Sequence, residues 1–238
     1  MRLNDPEVVR REYADESAFL TRRAIWDHAD GPDPRELAYA AVADAAPRNV
    51  LEVGCGPGDF AQRLIVELGC DVAAIDLSPR MVELTRTRGV DARVGDVQEL
   101  PFADGTFDCA VANWMLYHVP DLDRALTELA RVLRRGGRLV AATNSERNLE
   151  GLWALFGADA ERDHSFTREN GERALRRVFA HVGRRDADGS FTFQDREAAR
   201  TYVAASATRA HLAERLPALD VPFVVRRAAS VFVADKAL

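Results

Sequence analysis

The sequence predicts an α/β protein with a mostly parallel sheet and helices on both of its faces. Short apolar runs alternate with amphipathic helical patterns between residues 34 and 142. One run stops at a group of glycines, and acidic residues follow the next two runs. Alternation of strands and helices on this scale is typical of parallel sheets with right-handed crossovers. Because ligands of such sheets bind at the carboxyl ends of the strands, we expect the functional site there.

The first half of the chain contains the regular alternation. Residues 13–28 carry apolar positions at helical spacing and predict a helical N-terminal arm, which Pro32 and Pro34 end. Ser78 is the expected N-cap of the helix that begins at Pro79. Gly136-Gly137 is the expected end of the helix that begins at residue 122. Helices are predicted at 34–45, 59–68, 79–88 and 122–133, and strands at 50–53, 72–75, 91–94, 107–112 and 138–142.

The pattern is less regular beyond residue 143. We interpret residues 144–168 as a substrate-side insertion that is helical in part. Further elements are predicted as a helix at 169–182, a strand at 190–193, a helix at 195–207 and a strand at 230–234. The chain is therefore divided into an N-terminal helical arm or lid at residues 1–34 and a domain at residues 35–238 that includes the insertion.

Composition limits the classes of function. The 238 residues have a formal net charge of −6, whereas binding to nucleic-acid backbones needs clustered cations. No window approaches the roughly 18 apolar residues of a membrane span, and the first residues lack the apolar segment of a secretory signal. The 3 cysteines have no short Cys-x-x-Cys spacing. We expect a cytoplasmic monomer or homodimer that binds a small molecule and takes no metal, nucleic acid or membrane as partner.

The segment VLEVGCGPG at residues 50–58 is the most informative motif. Glycines directly after a buried strand allow a tight turn and let a ligand lie against bare backbone. In the dinucleotide-binding fingerprint the glycines are spaced G-x-G-x-x-G, whereas the third glycine here comes one residue earlier. A pyrophosphate cradle is therefore the weaker interpretation, and an NAD-dependent oxidoreductase is an alternative enzyme class.

Two acidic residues follow the next two predicted strands. Asp76 lies about 20 residues beyond the glycines, where a carboxylate can accept both hydroxyls of a ribose. Asp96 ends the third strand, where a carboxylate and the next backbone amide can meet an adenine edge. Each acid alone is explained as a turn or N-cap residue. Together with the glycines, they occupy three successive strand ends and favour a nucleoside site.

The same segments resemble the class I S-adenosylmethionine-dependent methyltransferases, in particular the branch of small-molecule enzymes similar to those of ubiquinone and menaquinone biosynthesis. The resemblance covers about residues 35–145 and implies a Rossmann-like sandwich with a mostly parallel seven-stranded sheet. Arg135 departs from the family, which usually has proline before the two glycines. The matching segments are LEVGCGPG at 51–58, DLSPRM at 76–81, GDVQELPF at 95–102, FD at 107–108 and LRRGGRL at 133–139.

The resemblance implies that S-adenosylmethionine is the cofactor and that it is held at the strand ends. Gly54 and Gly56 would approach its methionine part, and Asp76 would hold the ribose. The whole implied set comprises Glu52, Gly54, Cys55, Gly56, Asp76, Leu77, Met81, Asp96, Val97 and Asn113. In this set Leu77 and Met81 flank the adenine, Asp96 and Val97 meet its exocyclic amine, and Asn113 lies beside the amino-acid end.

Methyl transfer requires mainly orientation and exclusion of water, because the sulfonium already activates the methyl group. A base is useful when the acceptor must lose a proton, and His118 is the candidate, with a structural role as the alternative. Candidate substrate contacts are Tyr13, Trp26, His28, Tyr117 and Trp153, together with Phe156, His164 and Phe166 in the insertion. Simple packing is the alternative for the aromatic residues of the arm.

Other functions are weighed against this one. A nucleic-acid amino-methyltransferase is expected to carry Asn/Asp-Pro-Pro-aromatic where this chain has NWML at 113–116. Asp108, Asp121 and Asp123 do not have the spacing of a metal site for a catechol enzyme. A cofactor-binding module without catalysis stays open, because binding and catalysis use the same cofactor residues. The acceptor is undetermined, and a secondary metabolite is our hypothesis.

Overall fold

The computed structural model describes residues 4–14, 16–157, 165–206 and 208–238. Their strands form one eight-stranded sheet in the order β1-β7-β8-β6-β5-β2-β3-β4. The strands are β1 Ala29–Asp30, β2 Asn49–Val53, β3 Asp71–Asp76, β4 Asp91–Val94, β5 Phe107–Asn113, β6 Leu133–Asn144, β7 His181–Phe193 and β8 Phe223–Asp235. Strands β2 to β6 are parallel to one another, whereas the pairs β6–β8, β7–β8 and β1–β7 are antiparallel.

The helices pack on the sheet through its alternating side chains. In β2, Leu51 and Val53 join a core that includes residues of α6, while Val50 joins another that includes residues of α3 and α4. Successive residues of a strand point to opposite faces, so the two cores lie on the two sides of the sheet. The helices are α1 Pro6–Glu12, α2 Ser17–Arg23, α3 Pro34–Ala43, α4 Asp59–Leu68, α5 Pro79–Thr87, α6 Leu122–Val132, α7 Glu150–Ala154, α8 Gly171–Leu175 and α9 Arg196–Ala204, with 3-10 turns at Ala24–His28, Leu116–His118 and Ala210–Arg215.

The strand order reverses at β2, which pairs with β3 on one side and with β5 on the other. Such a switch point leaves a crevice outside the carboxyl ends of the strands, because the connections on either side run to opposite faces. The segments that leave β2, β3 and β5 there begin at Gly54, Leu77 and Trp114. The sheet therefore brings together the strand ends that the sequence marked out.

The N-terminal arm differs from the single helix predicted over residues 13–28. Helix α1 already ends at Glu12, α2 begins at Ser17, and the chain then enters a 3-10 turn. Ala29 and Asp30 pair with Phe191 and Ser190, adding an eighth strand to the predicted seven. Arg227, on β8, donates to the carbonyl oxygen of Asp30 at 2.7 Å. Strand β1 is therefore held by a residue that is distant in the sequence, which the spacing of apolar residues around Asp30 does not reveal.

Two predictions in the second half of the chain were also wrong. Helix α6 ends at Val132, and Gly136-Gly137 lie inside β6, because Leu133 is already extended and pairs with Phe107. The helix predicted over 169–182 is reduced to α8, since β7 begins at His181 and pairs with β8 along its full length. Most side chains in the first half of β7 are exposed, which removes the apolar signal of a strand.

Candidate cofactor and acceptor cavity

A cavity of about 580 Å³ opens at the carboxyl ends of β2, β3 and β5. It extends from the glycine segment at 54–58 to the arm, α7 and the region after α9. Of the predicted residues it is lined by Glu52, Gly54, Cys55, Gly56, Asp76, Leu77, Asp96, Val97, Asn113, Tyr13, Trp26, Tyr117, His118, Trp153 and Phe166. One continuous space thus joins the expected cofactor residues to most of the expected substrate contacts.

The glycines of the 54–58 segment serve different purposes. Gly54 and Gly56 both have positive φ, +65° and +54°, a conformation that L-residues with a side chain rarely adopt. A Cβ on Gly54 would come within 2.6 Å of Met115, so this glycine is required for packing. A Cβ on Gly56 would meet nothing within 4 Å, and Gly56 lines the cavity. The bare backbone of Gly56 therefore faces space in which a ligand can lie.

Cys55 is held inside this turn. Its Sγ lies 3.5 Å from the hydroxyl oxygen of Thr85, which in turn donates to the carbonyl oxygen of Gly56 at 2.8 Å. Burial raises the pKa of the Cys55 thiol, and the nearby Glu52 carboxyl raises it further. A thiol in this state is a poor nucleophile, which favours a structural part for Cys55 in the turn.

Asp76 joins the glycine turn to the start of α5. Its two carboxylate oxygens accept hydrogen bonds from the backbone N–H groups of Gly56 and Ser78, both at 2.9 Å. Burial raises the pKa of Asp76, while these two backbone hydrogen bonds lower it. The carboxylate is fixed in orientation and lines the cavity, so its other lone pairs are available to two neighbouring hydroxyls.

At the strand ends, two neighbouring side chains of the cavity wall each have a buried oxygen without a hydrogen bond to the described residues. These oxygens are Oε2 of Glu52 and Oδ1 of Asn113, on the neighbouring strands β2 and β5. Burial raises the pKa of Glu52 to about 8, although a hydrogen bond from the backbone of Ala61 lowers it. Buried polar atoms are normally paired, so a ligand donor, such as an ammonium group, fits this place.

The adenine side of the predicted site is less uniform. Asp96 accepts a hydrogen bond from the backbone N–H of Gln98 at 2.8 Å, which orients it in a turn at the cavity wall. Leu77 and Val97 also line the cavity. Met81, by contrast, is fully buried in the protein interior and is not part of the cavity wall.

Tyr13 and His118 form a pair in the wall of the cavity. The hydroxyl of Tyr13 lies 3.2 Å from Nε2 of His118, and the two rings meet edge to face. Tyr117 packs beside the same imidazole at 4.5 Å between ring centroids. Burial raises the pKa of both tyrosines, which therefore stay protonated and able to donate.

The arm is tied to the cofactor side of the cavity. The Ser78 hydroxyl donates to the carbonyl oxygen of Tyr13 at 2.6 Å, and Arg80 forms a bidentate ion pair with Glu16 at 2.9 Å. Arg23 pairs with Asp59 at the start of α4. These contacts hold Tyr13 above the segment that follows Asp76.

Aromatic side chains form another part of the cavity wall. Trp26 packs edge to face against Trp114 and Phe191 at centroid distances of 6.2 and 5.0 Å. Trp153, from α7, is buried and packs against Tyr202 of α9. Phe156 is buried in the same cluster and is not in the cavity wall, and His28 is exposed and outside it. His164 lies outside the described residues.

Sequence reasoning missed several residues of this wall. Arg22, Phe191, Tyr202 and Arg209 line the cavity and come from the arm, β7, α9 and the turn after it. None of them belongs to a motif, and 187 residues separate the first from the last. Only the packing of α9 and α7 against the arm brings them together.

Comparisons with known proteins agree with this geometry. Residues 51–141 match the methyltransferase domain family. A ubiquinone biosynthesis O-methyltransferase from Xanthomonas oryzae pv. oryzae is 36% identical over 160 residues, which is 61% of this chain and 66% of that protein, just under two thirds of its length. A Thermotoga maritima structure described as a possible histamine N-methyltransferase superposes with a TM-score of 0.59 and 23% identity over 97% of this chain and 99% of that chain.

The fold also occurs in proteins with other names. The [4+2]-cyclase SpnF superposes with a TM-score of 0.62 and 20% identity, covering 97% of this chain and 95% of that one. At identities this low, structural similarity establishes the fold and leaves the reaction open.

The fold and the strand-end site define a Rossmann-like α/β domain of the kind that binds S-adenosylmethionine. Residues 51–141 form a methyltransferase domain, and the chain is similar to the class I S-adenosylmethionine-dependent methyltransferases. The predicted resemblance, cofactor and α/β architecture are thereby confirmed, with eight strands in place of seven. Within the part of the chain that the structure describes, no helix is long and apolar enough to cross a membrane.

Proposed function

We propose that this protein is an enzyme that transfers a methyl group from S-adenosylmethionine to a small molecule. The observation that carries the proposal is the continuity of the cavity. It runs from the turn in which the backbone N–H of Gly56 donates to the Asp76 carboxylate to the Tyr13–His118 pair. A module that only bound the cofactor would not need the part of the cavity beside Tyr13 and His118. Two curated relatives, named as a ubiquinone biosynthesis O-methyltransferase and a probable tocopherol O-methyltransferase, favour a hydroxyl group as the acceptor.

The residues of the cavity fit the cofactor. Gly56 leaves room against its backbone, Asp76 offers an oriented carboxylate for the ribose, and Glu52 and Asn113 offer buried acceptor oxygens for an ammonium group. When bound, S-adenosylmethionine supplies a methyl group made electrophilic by its sulfonium. Glu52 is protonated in the cofactor-free protein, and it can release this proton when the cationic cofactor binds, because unlike charges attract strongly away from water.

The protein's own part is to orient the acceptor, exclude water and receive a proton. We assign the base to His118, whose imidazole is buried, lines the cavity and is hydrogen-bonded to Tyr13. Tyr13 acts as a positioning residue through this hydrogen bond: when its hydroxyl oxygen accepts from Nε2–H of His118, the lone pair of the imidazole lies on Nδ1 and can take a proton. The arm covers the site through Ser78 and Arg80, so it limits the access of water to the cavity.

The test has two stages. Calorimetric titration with S-adenosylmethionine, S-adenosylhomocysteine and NAD first identifies the cofactor. The protein is then incubated with methyl-labelled S-adenosylmethionine and a fractionated metabolite extract, and mass spectrometry follows the label into products. Binding and labelled products below the size of a peptide support the proposal. Binding without turnover would leave a sensor module, and preference for NAD would establish an oxidoreductase.

Two variants test the assigned base. His118→Asn should lower kcat by about 100-fold, a typical contribution of general base catalysis. Its affinity for S-adenosylhomocysteine should be unchanged. Tyr13→Phe should lower kcat less and should shift the pH profile of kcat, because the imidazole loses its partner. A His118→Asn enzyme with full kcat would show that the acceptor needs no base from this residue.

A further inference from the structure

One part of the cavity wall is formed by α7, α9 and the residues after α9, and we call it the far end of the cavity. Trp153, Tyr202, Ser206 and Arg209 line it. The guanidinium of Arg209 lies over the indole ring of Trp153, with its central carbon 4.5 Å from the ring centroid. Stacking of this kind fixes the plane of the guanidinium and leaves the N–H groups at its edge pointing away from the ring.

Arg209 differs from the other arginines of the cavity in its electrostatic surroundings. Arg22 pairs with Glu12, and Arg35 pairs with Asp33. The same holds for Arg23 with Asp59 and for Arg63 with Glu36. Arg227 donates instead to the carbonyl oxygens of Asp30 and Pro32. Among the residues described, no carboxylate lies within ion-pair distance of Arg209, and burial lowers its pKa.

An uncompensated cation in a partly buried cavity is costly unless a ligand pairs with it. The Glu12 carboxylate, which is the acid that acts on Arg209 electrostatically, already forms an ion pair with Arg22 at 2.9 Å. Counting the residues that the structure describes, this end of the cavity therefore carries one net positive charge among aromatic side chains. A cationic acceptor would be repelled here, whereas a planar monoanion matches both the charge and the walls.

We propose that the methyl acceptor is a small aromatic carboxylic acid and that Arg209 binds its carboxylate. The inference rests on the proposed function, because it assigns the far end of that cavity to the acceptor. A planar guanidinium can donate two parallel hydrogen bonds to a carboxylate, which a lysine cannot do. Trp153 holds the guanidinium in place, while Tyr202 and Ser206 supply hydroxyl groups at the same end.

The experiment uses three probes of one shape and different charge: 1-naphthoate, 1-naphthamide and 1-naphthylmethylamine. Each is titrated calorimetrically into the full-length protein saturated with S-adenosylhomocysteine. We expect the carboxylate to bind most tightly and the amine least. Arg209→Gln should weaken naphthoate binding by about tenfold, the effect of losing a charged hydrogen-bond partner that is partly exposed, and should leave naphthamide binding unchanged. Arg209→Lys should recover only part of the loss.

Arg173→Gln is the matched control, because it removes the same charge from an exposed position on α8 outside the cavity. It should bind all three probes as the wild type does. A preference for the carboxylate that survives in Arg209→Gln, equal or tighter binding of the amine, or no binding of any probe would overturn the inference. Failure of the wild type to bind S-adenosylhomocysteine would instead overturn the proposed function, so the two failures are distinguishable.

Discussion

The two ends of the cavity are built in opposite ways. The cofactor end takes Glu52, Asp76 and Asn113 from the ends of neighbouring strands and is acidic. The proposed acceptor end takes Tyr13, Trp153 and Arg209 from the arm, α7 and the turn after α9, and among the described residues its charge without an ion-pair partner is positive. A parallel sheet gathers its strand ends in one place whatever the rest of the chain does, whereas a cap depends on how distant segments pack.

Loss of the Asp76 carboxylate is expected to have the largest effect and to be confined to the cofactor end. Asp76→Ala removes the acceptor for the N–H groups of Gly56 and Ser78 and the proposed acceptor for two ribose hydroxyls. The affinity for S-adenosylhomocysteine should fall by about 100-fold or more, as for the loss of two charged hydrogen bonds. Calorimetry measures this, and circular dichroism checks the fold.

Asp91→Ala is the control for Asp76, because Asp91 is exposed at the start of β4 and pairs with Arg93. It should leave the affinity within about twofold of wild type. If Asp76→Ala kept wild-type affinity, the cofactor would not lie at the strand ends, and the contrast between the two ends of the cavity would be wrong.

A pair of glycine variants sharpens the assignment of the turn. Gly56 and Gly69 both have positive φ, and a Cβ on either would meet nothing within 4 Å. Alanine at either position should therefore cost about 1–2 kcal/mol of unfolding free energy through backbone strain. Only Gly56 lines the cavity, so only Gly56→Ala should weaken S-adenosylhomocysteine binding, by about tenfold.

Chemical denaturation and calorimetry on both proteins separate strain from loss of space. Equal losses of affinity in Gly56→Ala and Gly69→Ala would show that the effect comes from destabilisation of the domain and that the ligand does not lie against Gly56.

The acidic end should also have its own pH dependence. The pKa of Glu52 is raised to about 8 by burial, so the folded protein binds a proton there that the unfolded chain has released above about pH 4.5. The contribution of this group to stability is complete at lower pH and is lost as the pH rises from about 4.5 to about 8. The cofactor-free wild type should lose about 2–5 kcal/mol relative to Glu52→Gln over this range.

Urea denaturation at several pH values measures this difference. Glu99→Gln, at an exposed carboxyl, should track the wild type at every pH. A Glu52→Gln protein whose unfolding free energy varies with pH as the wild type does would show that Glu52 stays ionised. In that case the binding of the cationic cofactor would not change the protonation of Glu52.

The smallest effect is expected at His28. Its side chain is exposed and lies outside the cavity wall, although it follows Trp26 by only two residues. His28→Ala should therefore leave both cofactor affinity and turnover within about twofold of wild type, in contrast to Tyr13→Phe. Steady-state kinetics compares the two, and a large loss in His28→Ala would show that the arm changes position during turnover.

Prediction from sequence succeeded where the signal was local. Ser78 caps α5 as expected, with its hydroxyl accepting from the backbone N–H of Met81 at 3.2 Å. Helix α4 and strand β4 have the predicted bounds. Prediction failed at the exposed first half of β7, which pairs with residues of β8 that lie 42 to 54 positions later in the chain. The sequence also placed Met81 beside the adenine, whereas its side chain, which projects from α5, is fully buried in the protein interior.

The sequence by itself determined the α/β architecture and the cofactor end, because glycines and acids directly after apolar runs are placed by strand geometry alone. The tertiary structure alone decided the acceptor end. Arg209 stacks on Trp153 only when α7 and the turn after α9 pack together, and Tyr13 reaches His118 while Ser78 and Arg80 hold the arm. Contacts between segments so far apart depend on the packing of the whole chain, which no local pattern encodes.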